Sequence, residues 1–528
     1  MSKAADMAKV SAKGGFHMLW GLVLSTVISS VGTIIIVRLL GADNWGLYTI
    51  AIAAPTMIAT FRDWGVNVAM IRYTAQYNSE NGVSKIRNIF VAGLAFELIL
   101  GLVLSIVSIV ISGFLADVYQ RPEIVQLIQI ASLFVLSGAM MTAATAAFTG
   151  MERLHLNSIM LIVQSIVKTG LIIALVILGL GTLGAIVGFS VAVLVAGITG
   201  VLLMFVMYSS LPKPSDGKLA IGETIKTLLK YGLPISIGTI LVSFLGLFYT
   251  LIMPIFVTDN SVIGNYALAQ TFVVLIVFFA TPVTTMLFPA FSKLDYRKNQ
   301  FDLKNVFQYS VRYAALLVVP VTFLVMSLAE PAIHTLFPEG YSQAPFFLML
   351  LSISYLFTAL GNLSAGNLIN SQGDTKYTLK LSILQAAIGF PLGFVLISQF
   401  GIIGLIISSL VVVLPGLFLS LGFIKKRYGV SVDWGSSVKI LLSSGVTGVL
   451  TYLLVTWLPF SSPIRLILGV VVFVVVFVLI AVSTRTITRA DLENIQTIVA
   501  GLGPLRKPLH LVLTILGKLM PKSQPHPK

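Results

Sequence analysis

Long apolar stretches, separated by short polar or Gly/Pro-containing breaks, follow one another along almost the whole chain. Hydrophobic residues make up 57% of the 528 residues and charged residues only 10%, whereas a soluble globular chain is about 25% charged. A bilayer core about 30 Å thick is crossed by roughly 20 apolar residues of α-helix. We therefore predict an all-α polytopic membrane protein with 14 transmembrane helices, at residues 16–40, 46–71, 88–112, 124–148, 157–179, 181–207, 232–257, 265–290, 312–330, 343–369, 378–400, 402–424, 437–458 and 464–484.

The placement of the basic residues predicts the orientation of these helices. The chain has 34 Lys and Arg against 19 Asp and Glu, a net charge of +15. With the N-terminus inside and the ends of spans counted with the adjoining segments, 29 of the 34 fall on the inner side and only Arg38, Arg121 and Arg465 on the outer side, while Arg62 and Lys168 lie deep within spans. This asymmetry predicts an N-in/C-in topology with an even number of spans. It also explains the basic balance without nucleic acid, so no nucleic-acid partner is expected.

Three pairs of short motifs recur at nearly one offset and indicate a duplicated six-helix unit in the same orientation. They are Gly46-Leu47-Tyr48 with Gly264-Asn265-Tyr266, Gly150 with Gly373, and Gly181-Thr182-Leu183-Gly184 with Gly401-Ile402-Ile403-Gly404, at offsets of 218, 223 and 220 residues. The predicted domains are an N-terminal six-helix lobe (1–210), a cytoplasmic linker (211–231), a C-terminal six-helix lobe (232–424), two additional transmembrane helices (425–484) and a cytoplasmic amphipathic tail (485–528).

Motifs for catalysis or cofactor binding are missing from the sequence. There is no cysteine, the five histidines are scattered, and no Gly-rich phosphate loop, His-Glu-x-x-His or Gly-x-Ser-x-Gly occurs. A membrane glycosyltransferase would need acidic residues in a sizeable outer loop, but the six outer acids are spread over short loops. We therefore expect no enzyme activity, no catalytic residue, no metal site and no cofactor.

Four ionisable residues fall at bilayer depth, away from the ends of the predicted spans: Arg62, Asp63, Glu97 and Lys168. An ionised side chain at bilayer depth costs about 2.5 to 3.5 kcal/mol on insertion scales, so such residues are functional candidates. Lys168 shares a helix face with Gln164 and Asn157, and Asp63 shares one with Asn67. These polar stripes predict a water-filled cavity within the first six-helix unit.

Two interpretations of the buried charges stay open at this stage. Arg62 could pair with Asp63 or Glu97, and Lys168 with Glu97, as ion pairs that lock helices together. Alternatively, the basic residues could hold a phosphate that enters the membrane, Arg by bidentate hydrogen bonds and Lys as a point charge. Arg38, near the outer end of the first span, has the same two interpretations, phosphate contact or snorkelling anchor.

Several short motifs, in order and covering about residues 16–424, resemble the polysaccharide-transporter flippases of the multidrug/oligosaccharidyl-lipid/polysaccharide exporter superfamily. They are Arg38-Leu39-Leu40-Gly41, Gly46-Leu47-Tyr48, Asp63-Trp64-Gly65 with Arg72, Tyr231-Gly232-Leu233-Pro234-Ile235, Gly264-Asn265-Tyr266-Ala267-Leu268-Ala269, Leu287-Phe288-Pro289-Ala290, Leu336-Phe337 with Gly340-Tyr341, Asn370 to Gly373, and Gly401-Ile402-Ile403-Gly404.

The resemblance implies two six-helix lobes in a V around a central cavity, plus two extra C-terminal helices. It implies alternating access that carries a polyprenyl-diphosphate-linked oligosaccharide from the cytoplasmic to the outer leaflet of the cell membrane, for surface polysaccharide or glycoprotein synthesis. The expected partners are the lipid-linked oligosaccharide, the lipid bilayer and glycan-assembly enzymes. On this basis the candidate substrate-binding residues are Arg38, Arg62, Lys168, Asp63 and Gln164, and the candidate ion-coupling residues are Asp63 and Glu97.

Two other functions stay open. A cation-coupled multidrug antiporter of the same superfamily would need a coupling acid in its cavity, for which Asp63 and Glu97 are candidates. Many relatives carry an acid late in the seventh span, where this chain reads Leu247-Phe248-Tyr249-Thr250, so a coupling role tied to that acid is not expected. A membrane scaffold for a glycan-assembly complex would tolerate neutralisation of the buried charges.

Overall fold

The computed structural model describes residues 3–80, 83–212, 220–294, 296–337, 340–488 and 491, and this part of the chain is helical without a strand. Its α-helices are α1 (Lys3–Thr60), α2 (Val66–Ser79), α3 (Val83–Tyr119), α4 (Ile124–Ala131), α5 (Leu133–Gly150), α6 (Leu154–Leu175), α7 (Gly181–Ser210), α8 (Ile221–Phe256), α9 (Asn260–Ser292), α10 (Gln300–Ser327), α11 (Ala329–Leu336), α12 (Ala344–Leu356), α13 (Asn362–Ser371), α14 (Thr375–Tyr428), α15 (Trp434–Trp457) and α16 (Ser462–Ser483). Within the described ranges, nine helices are long and apolar enough to cross a membrane, or ten if a pair bent at Gly361 forms one span. The protein is therefore a multi-pass membrane protein.

Glycines with positive φ interrupt the longest helical stretches. Gly41 (φ 74°) lies inside α1, Gly181 (φ 50°) is the first residue of α7, and Gly401 (φ 56°) lies inside α14. Residues other than glycine are strained in this left-handed region of φ. Beyond Gly181, α7 packs back on α6 so closely that a methyl group on Gly188 would lie 2.9 Å from the Ile172 nitrogen. This joint is therefore a hairpin.

Contacts divide the chain into two compact units. Unit one comprises Met1–Leu268 and Leu381–Val412, and unit two comprises Ala269–Lys380 and Val413–Lys528. The domain boundaries inferred from the sequence stay a prediction, and most of the predicted tail, residues 492–528, lies outside the described residues.

Small residues let the helices of unit one approach closely. Ala139, Ala143 and Ala147 of α5 are fully buried. A methyl group on Gly197 of α7 would lie 2.7 Å from the carbonyl oxygen of Ser137 in α5. Association of membrane helices depends on such close packing, because lipid tails are as apolar as the side chains.

Two glycines from the duplicated motifs cross within unit one. A methyl group on Gly46 of α1 would lie 2.9 Å from the nitrogen of Gly264, and one on Gly264 of α9 would lie 3.0 Å from the nitrogen of Gly46. The nearest atom to the methyl group on Gly46 would be the carbonyl oxygen of Asn260, and the nearest to the one on Gly264 would be the carbonyl oxygen of Ala42. Each carbonyl lies four residues before the glycine of its own helix. The contact is therefore reciprocal and leaves no room for a side chain on either helix.

An ion pair in unit two joins α10 to the segment after α16. The Arg312 guanidinium donates to both carboxylate oxygens of Asp491, at 3.1 and 2.7 Å, and also to the carbonyl of Thr486 and the hydroxyl of Ser436. Thr488 and Asp491 make the reciprocal hydrogen bonds of a helix start. Burial alone would raise the pKa of Asp491, but the hydrogen bonds from Arg312 and Thr488 outweigh it and hold that pKa below its ordinary value.

Asp491→Ala is expected to destabilise the protein by about 3 kcal/mol, because it leaves Arg312 without its carboxylate where that side chain is only 17% exposed. The matched control is Arg427→Ala, which breaks the Arg427–Asp374 pair where Arg427 is 45% exposed and leaves Asp374 its hydrogen bond from the Tyr428 hydroxyl, so a much smaller shift is expected. Thermal unfolding in detergent measures both. Since the Asp491 pKa is depressed, its contribution is present above the ordinary aspartate pKa and is lost only as pH falls through the lower, folded value. Equal shifts for the two variants would contradict this assignment.

Candidate functional site

The predicted span at residues 46–71 is not one continuous helix, because the segment Phe61–Gly65 separates α1 from α2. Asp63 stabilises the break. One carboxylate oxygen of Asp63 accepts hydrogen bonds from the backbone nitrogens of Gly65 (2.9 Å) and Asn67 (3.4 Å). Asp63 therefore satisfies backbone donors that the start of α2 leaves without intrahelical partners.

Backbone packing against α8 explains why the break contains a glycine. Gly65 has φ 79°, and a methyl group on it would lie 2.6 Å from the Cα of Gly232 in α8. A methyl group on Gly232 would in turn lie 2.9 Å from the Cα of Gly65. Two motifs that the sequence presented separately, Asp63-Trp64-Gly65 and Tyr231-Gly232, thus meet in unit one.

Arg62 lies in this break and is held by two helices, α3 and α5. Its Nε donates to Oε2 of Glu97 in α3 (3.0 Å), one terminal nitrogen donates to the Val135 carbonyl (3.0 Å), and the other donates to the Thr142 hydroxyl (2.7 Å). Gly138 of α5 provides the space, since a methyl group there would lie 2.9 Å from the guanidinium. The guanidinium thus ties the break in the second span to α3 and α5.

Glu97 is fully buried, and each of its carboxylate oxygens has a partner. Oε2 accepts from Arg62 and Oε1 accepts from the Asn67 amide at 2.7 Å. Of the two interpretations open from the sequence, the Arg62–Glu97 ion pair is present in the structure. Whether Arg62, Asp63 or Glu97 also contacts a substrate or a coupling ion stays a prediction.

Lys168 and Gln164 lie apart from this network, on α6. Both are partly buried, and neither has an ion-pair or hydrogen-bond partner among the residues that the structure describes. The adjacent face of α6 packs on α1, where the Ser29 hydroxyl donates to the Ser165 hydroxyl at 3.1 Å and Thr169 lies against Gly32. Lys168 is therefore a partly buried cation on a packed helix of a membrane protein.

Arg38 is exposed and lies three residues before the glycine break inside α1. It also has no hydrogen bond or ion pair within the described ranges. The structure brings together Arg62, Asp63 and Glu97, but it does not bring Arg38, Gln164 or Lys168 into their hydrogen-bond network.

Arg121 was assigned to an outer loop from the sequence, but the structure gives it a further role. It is buried and donates to the carbonyls of Pro254 (3.0 Å), Val257 (3.0 Å) and Thr258 (2.7 Å) at the end of α8. The last carbonyls of a helix have no intrahelical partner, so the guanidinium caps α8. Burial lowers the pKa of Arg121, but from a value so high that the group stays charged. No sequence pattern indicates this contact, because its partners lie more than 130 residues away.

No three or more histidine or acidic side chains lie close enough to hold a metal ion in the described part of the chain.

Solved structures with a similar fold are transporters. The lipid II flippase MurJ in an inward closed conformation matches with a TM-score of 0.71 at 13% identity, covering 88% of this chain and 97% of that one. An outward-facing multidrug resistance MATE family transporter of the MOP superfamily matches with a TM-score of 0.54 at 18% identity, covering 80% and 96%. At these identities the likeness defines the fold, which is that of a MurJ-like polytopic membrane protein.

The chain belongs to the polysaccharide biosynthesis protein family, whose model matches residues 11–295. An uncharacterised membrane protein of Methanocaldococcus jannaschii is 23% identical over 381 residues, or 69% of this chain and 74% of that protein. The probable low-salt glycan biosynthesis flippase Agl15 of Haloferax volcanii is 23% identical over 247 residues, 45% of this chain and half of that protein. The resemblance inferred from the sequence motifs is confirmed.

Proposed function

We propose that this protein is a flippase that moves a polyprenyl-diphosphate-linked oligosaccharide from the cytoplasmic to the outer leaflet of the cell membrane by alternating access. The family membership, the MurJ-like fold and the similarity to a glycan biosynthesis flippase support this function. The transported glycan would serve surface polysaccharide or glycoprotein synthesis, with glycan-assembly enzymes as partners.

The observation that carries the substrate assignment is Lys168. Within the described ranges Arg62 is held by Glu97, whereas Lys168 has no protein counter-ion. A lysine at bilayer depth costs about 2.5 to 3.5 kcal/mol, so a site that keeps it without a partner favours an anionic ligand. The diphosphate of the lipid carrier is such a ligand. In this proposal Lys168 contacts the diphosphate, Gln164 supplies an amide beside it, and Arg38 is a second candidate contact.

The proposal includes fourteen spans with both termini inside. The helix breaks support this count, because each of the stretches broken at Gly41, at Gly179 to Gly181 and at Gly401 can form two spans. The bent pair and α8 would supply two more beyond the nine long apolar helices. The uneven distribution of basic residues between the two sides, 29 against 3, supports the proposed orientation.

A cation-coupled multidrug antiporter is the competing function, and the candidate coupling acids give it less support. Asp63 accepts backbone hydrogen bonds at the start of α2, and Glu97 is paired with Arg62. The stretch of α8 where relatives carry the acid includes Tyr249, whose hydroxyl donates to the Gly389 carbonyl at 2.9 Å. Each of these groups already has a structural partner.

Reconstitution in liposomes with a labelled polyprenyl-diphosphate oligosaccharide tests the function. We expect leaflet exchange by the wild type and a loss of about 10- to 100-fold in Lys168→Ala, since a hydrogen bond to a charged group contributes about 1.5 to 3 kcal/mol. Lys168→Arg, which keeps the charge, should retain more exchange than Lys168→Ala.

Lys426→Ala is the matched control, because Lys426 is exposed at the end of α14. This variant should exchange lipid at the wild-type rate. Exchange by Lys168→Ala at the wild-type rate would contradict the proposed contact between Lys168 and the diphosphate. No exchange by the wild type, together with proton-dependent efflux of organic cations, would replace the flippase with the antiporter.

A further inference from the structure

A cavity of about 240 Å³ opens in unit one where α2 ends, α3 begins and α8 begins. The residues that matter for its chemistry are Tyr73, Tyr77, Lys85, Asn88, Glu223 and Thr227. In the proposed topology they belong to cytoplasmic segments or, for Asn88, to the cytoplasmic end of the third span. None belongs to the Arg62 network or to the polar face of α6.

Tyr73 and Tyr77 form an aromatic wall that neighbouring groups hold in place. They lie one turn apart on α2, and their rings stack with centroids 6.3 Å apart. Tyr231 of α8 packs edge-on against Tyr73 at 5.8 Å, and the Arg72 guanidinium lies 4.1 Å from the Tyr231 ring. Tyr231 and Arg72 therefore hold the aromatic wall in place before any ligand binds.

Hydrogen-bonding groups of the kind that bind hydroxyls surround this wall. The side-chain oxygen of Asn88 is buried and has no hydrogen-bond partner among the described residues. Glu223 adds a carboxylate in the first turn of α8, and the ammonium of Lys85 lies 5.2 Å from the Tyr77 ring centroid. An unsatisfied buried acceptor is costly, so the Asn88 oxygen favours a ligand that can donate to it.

These features together describe a site for a sugar. A pyranose offers several hydroxyl donors, which suit the Asn88 oxygen and the Glu223 carboxylate, and an apolar face, which suits a tyrosine ring. The cavity is smaller than the roughly 300 Å³ or more of sites for drug-sized ligands, so its size matches one monosaccharide unit.

We propose that this cavity binds one sugar residue of the glycan headgroup on the cytoplasmic side before transfer. The inference rests on the proposed flippase function for the identity of the glycan, but sugar binding can be measured without transport. The site would select for the headgroup, while Lys168 meets the diphosphate.

The first test is sugar binding by the full-length chain in lipid nanodiscs. The probes are methyl pyranosides of glucose, galactose, mannose and N-acetylglucosamine, detected by saturation-transfer difference NMR. At least one should bind the wild type, and Tyr77→Leu and Asn88→Ala should each weaken that binding at least about fivefold. Tyr77→Phe keeps the ring and should bind like the wild type.

Tyr309→Leu is the control, because Tyr309 and Tyr313 form a similar stacked pair, 6.1 Å apart, in unit two. This variant should leave pyranoside binding unchanged. Absence of binding by every probe, or equal binding by the wild type and Tyr77→Leu, would overturn the proposal.

The second test separates this proposal from the flippase function. In liposomes, Tyr77→Leu should raise the half-saturating concentration of the glycan-bearing lipid at least about fivefold and leave exchange of sugar-free polyprenyl diphosphate unchanged. If Tyr77→Leu exchanges the glycan-bearing lipid with an unchanged half-saturating concentration, the sugar site is rejected but the flippase function is kept. Tyr77-dependent pyranoside binding by a protein that exchanges no lipid would reject the flippase but keep the cavity.

Discussion

Arg62→Ala is expected to destabilise the protein by about 3 to 5 kcal/mol, because it leaves the fully buried Glu97 without its counter-ion. The change also removes the hydrogen bonds that Arg62 donates to Val135 and Thr142. Glu97→Ala should be similarly destabilising, since it leaves the Arg62 guanidinium without its counter-ion. Thermal unfolding in detergent, checked by the fraction of monodisperse protein, measures both.

A double-mutant cycle distinguishes the ion pair from general packing. The double variant of Arg62→Ala and Glu97→Ala should be more stable than the sum of the two single effects predicts, with a coupling of about 0.5 to 3 kcal/mol. Arg38→Ala is the control, because Arg38 is exposed and a change of no more than about 0.5 kcal/mol is expected. Additive single effects would show that the pair does not act as a unit.

The same cycle addresses the predicted substrate contact of Arg62. A pair of apolar residues of similar size, Arg62→Met with Glu97→Leu, removes both charges and can leave a protein folded. Leaflet exchange by a folded double variant would make Arg62 a positioning residue that holds the helix break. Loss of exchange would support the contact predicted from the sequence.

Gly65→Ala is expected to cost about 2 to 5 kcal/mol. The φ of 79° adds about 1 to 2 kcal/mol of strain for any residue with a Cβ, and the clash with Gly232 adds about 1 to 3 kcal/mol. Gly232→Ala should destabilise the protein through the steric clash alone, without the contribution of φ strain. The partner atoms are backbone, which cannot rotate away as a side chain could, so relaxation requires the helices to separate.

Gly222→Ala in α8 is the matched control, since an added methyl group there meets nothing within 4 Å. It should be neutral or stabilise the helix by up to about 1 kcal/mol. Unfolding midpoints of the three variants, measured in one detergent, give the comparison. A Gly65→Ala protein as stable as Gly222→Ala would contradict the close backbone contact.

The sequence predicted the membrane fold and the family, because apolar length and short motifs are local properties of the chain. It did not predict the break at Phe61–Gly65, since a run of apolar residues with two charges reads as one span. It named Glu97 as a partner for Arg62 but could not choose between that pair and a substrate contact. The deciding partners, Val135 and Thr142, lie on a helix more than 70 residues away.

Other contacts had little or no signal in the sequence. Arg121 reads as an ordinary loop residue, and its role as the cap of α8 depends on a helix more than 130 residues away. The cavity beside Tyr77 likewise depends on the approach of the first turn of α8 to α2 and α3. The spacing of Tyr73 and Tyr77 was the one available hint, because residues four apart share a helix face.

The crossing of Gly46 and Gly264 joins the two motifs whose similarity first indicated a duplication. Because each glycine lies against the backbone of the other, the contact is self-complementary, as an isologous interface between two copies of one subunit is. A larger residue on one side requires a shift on both, since close-packed backbones transmit strain. A substitution at either glycine therefore displaces the backbone at the other, although 218 residues separate them in the chain.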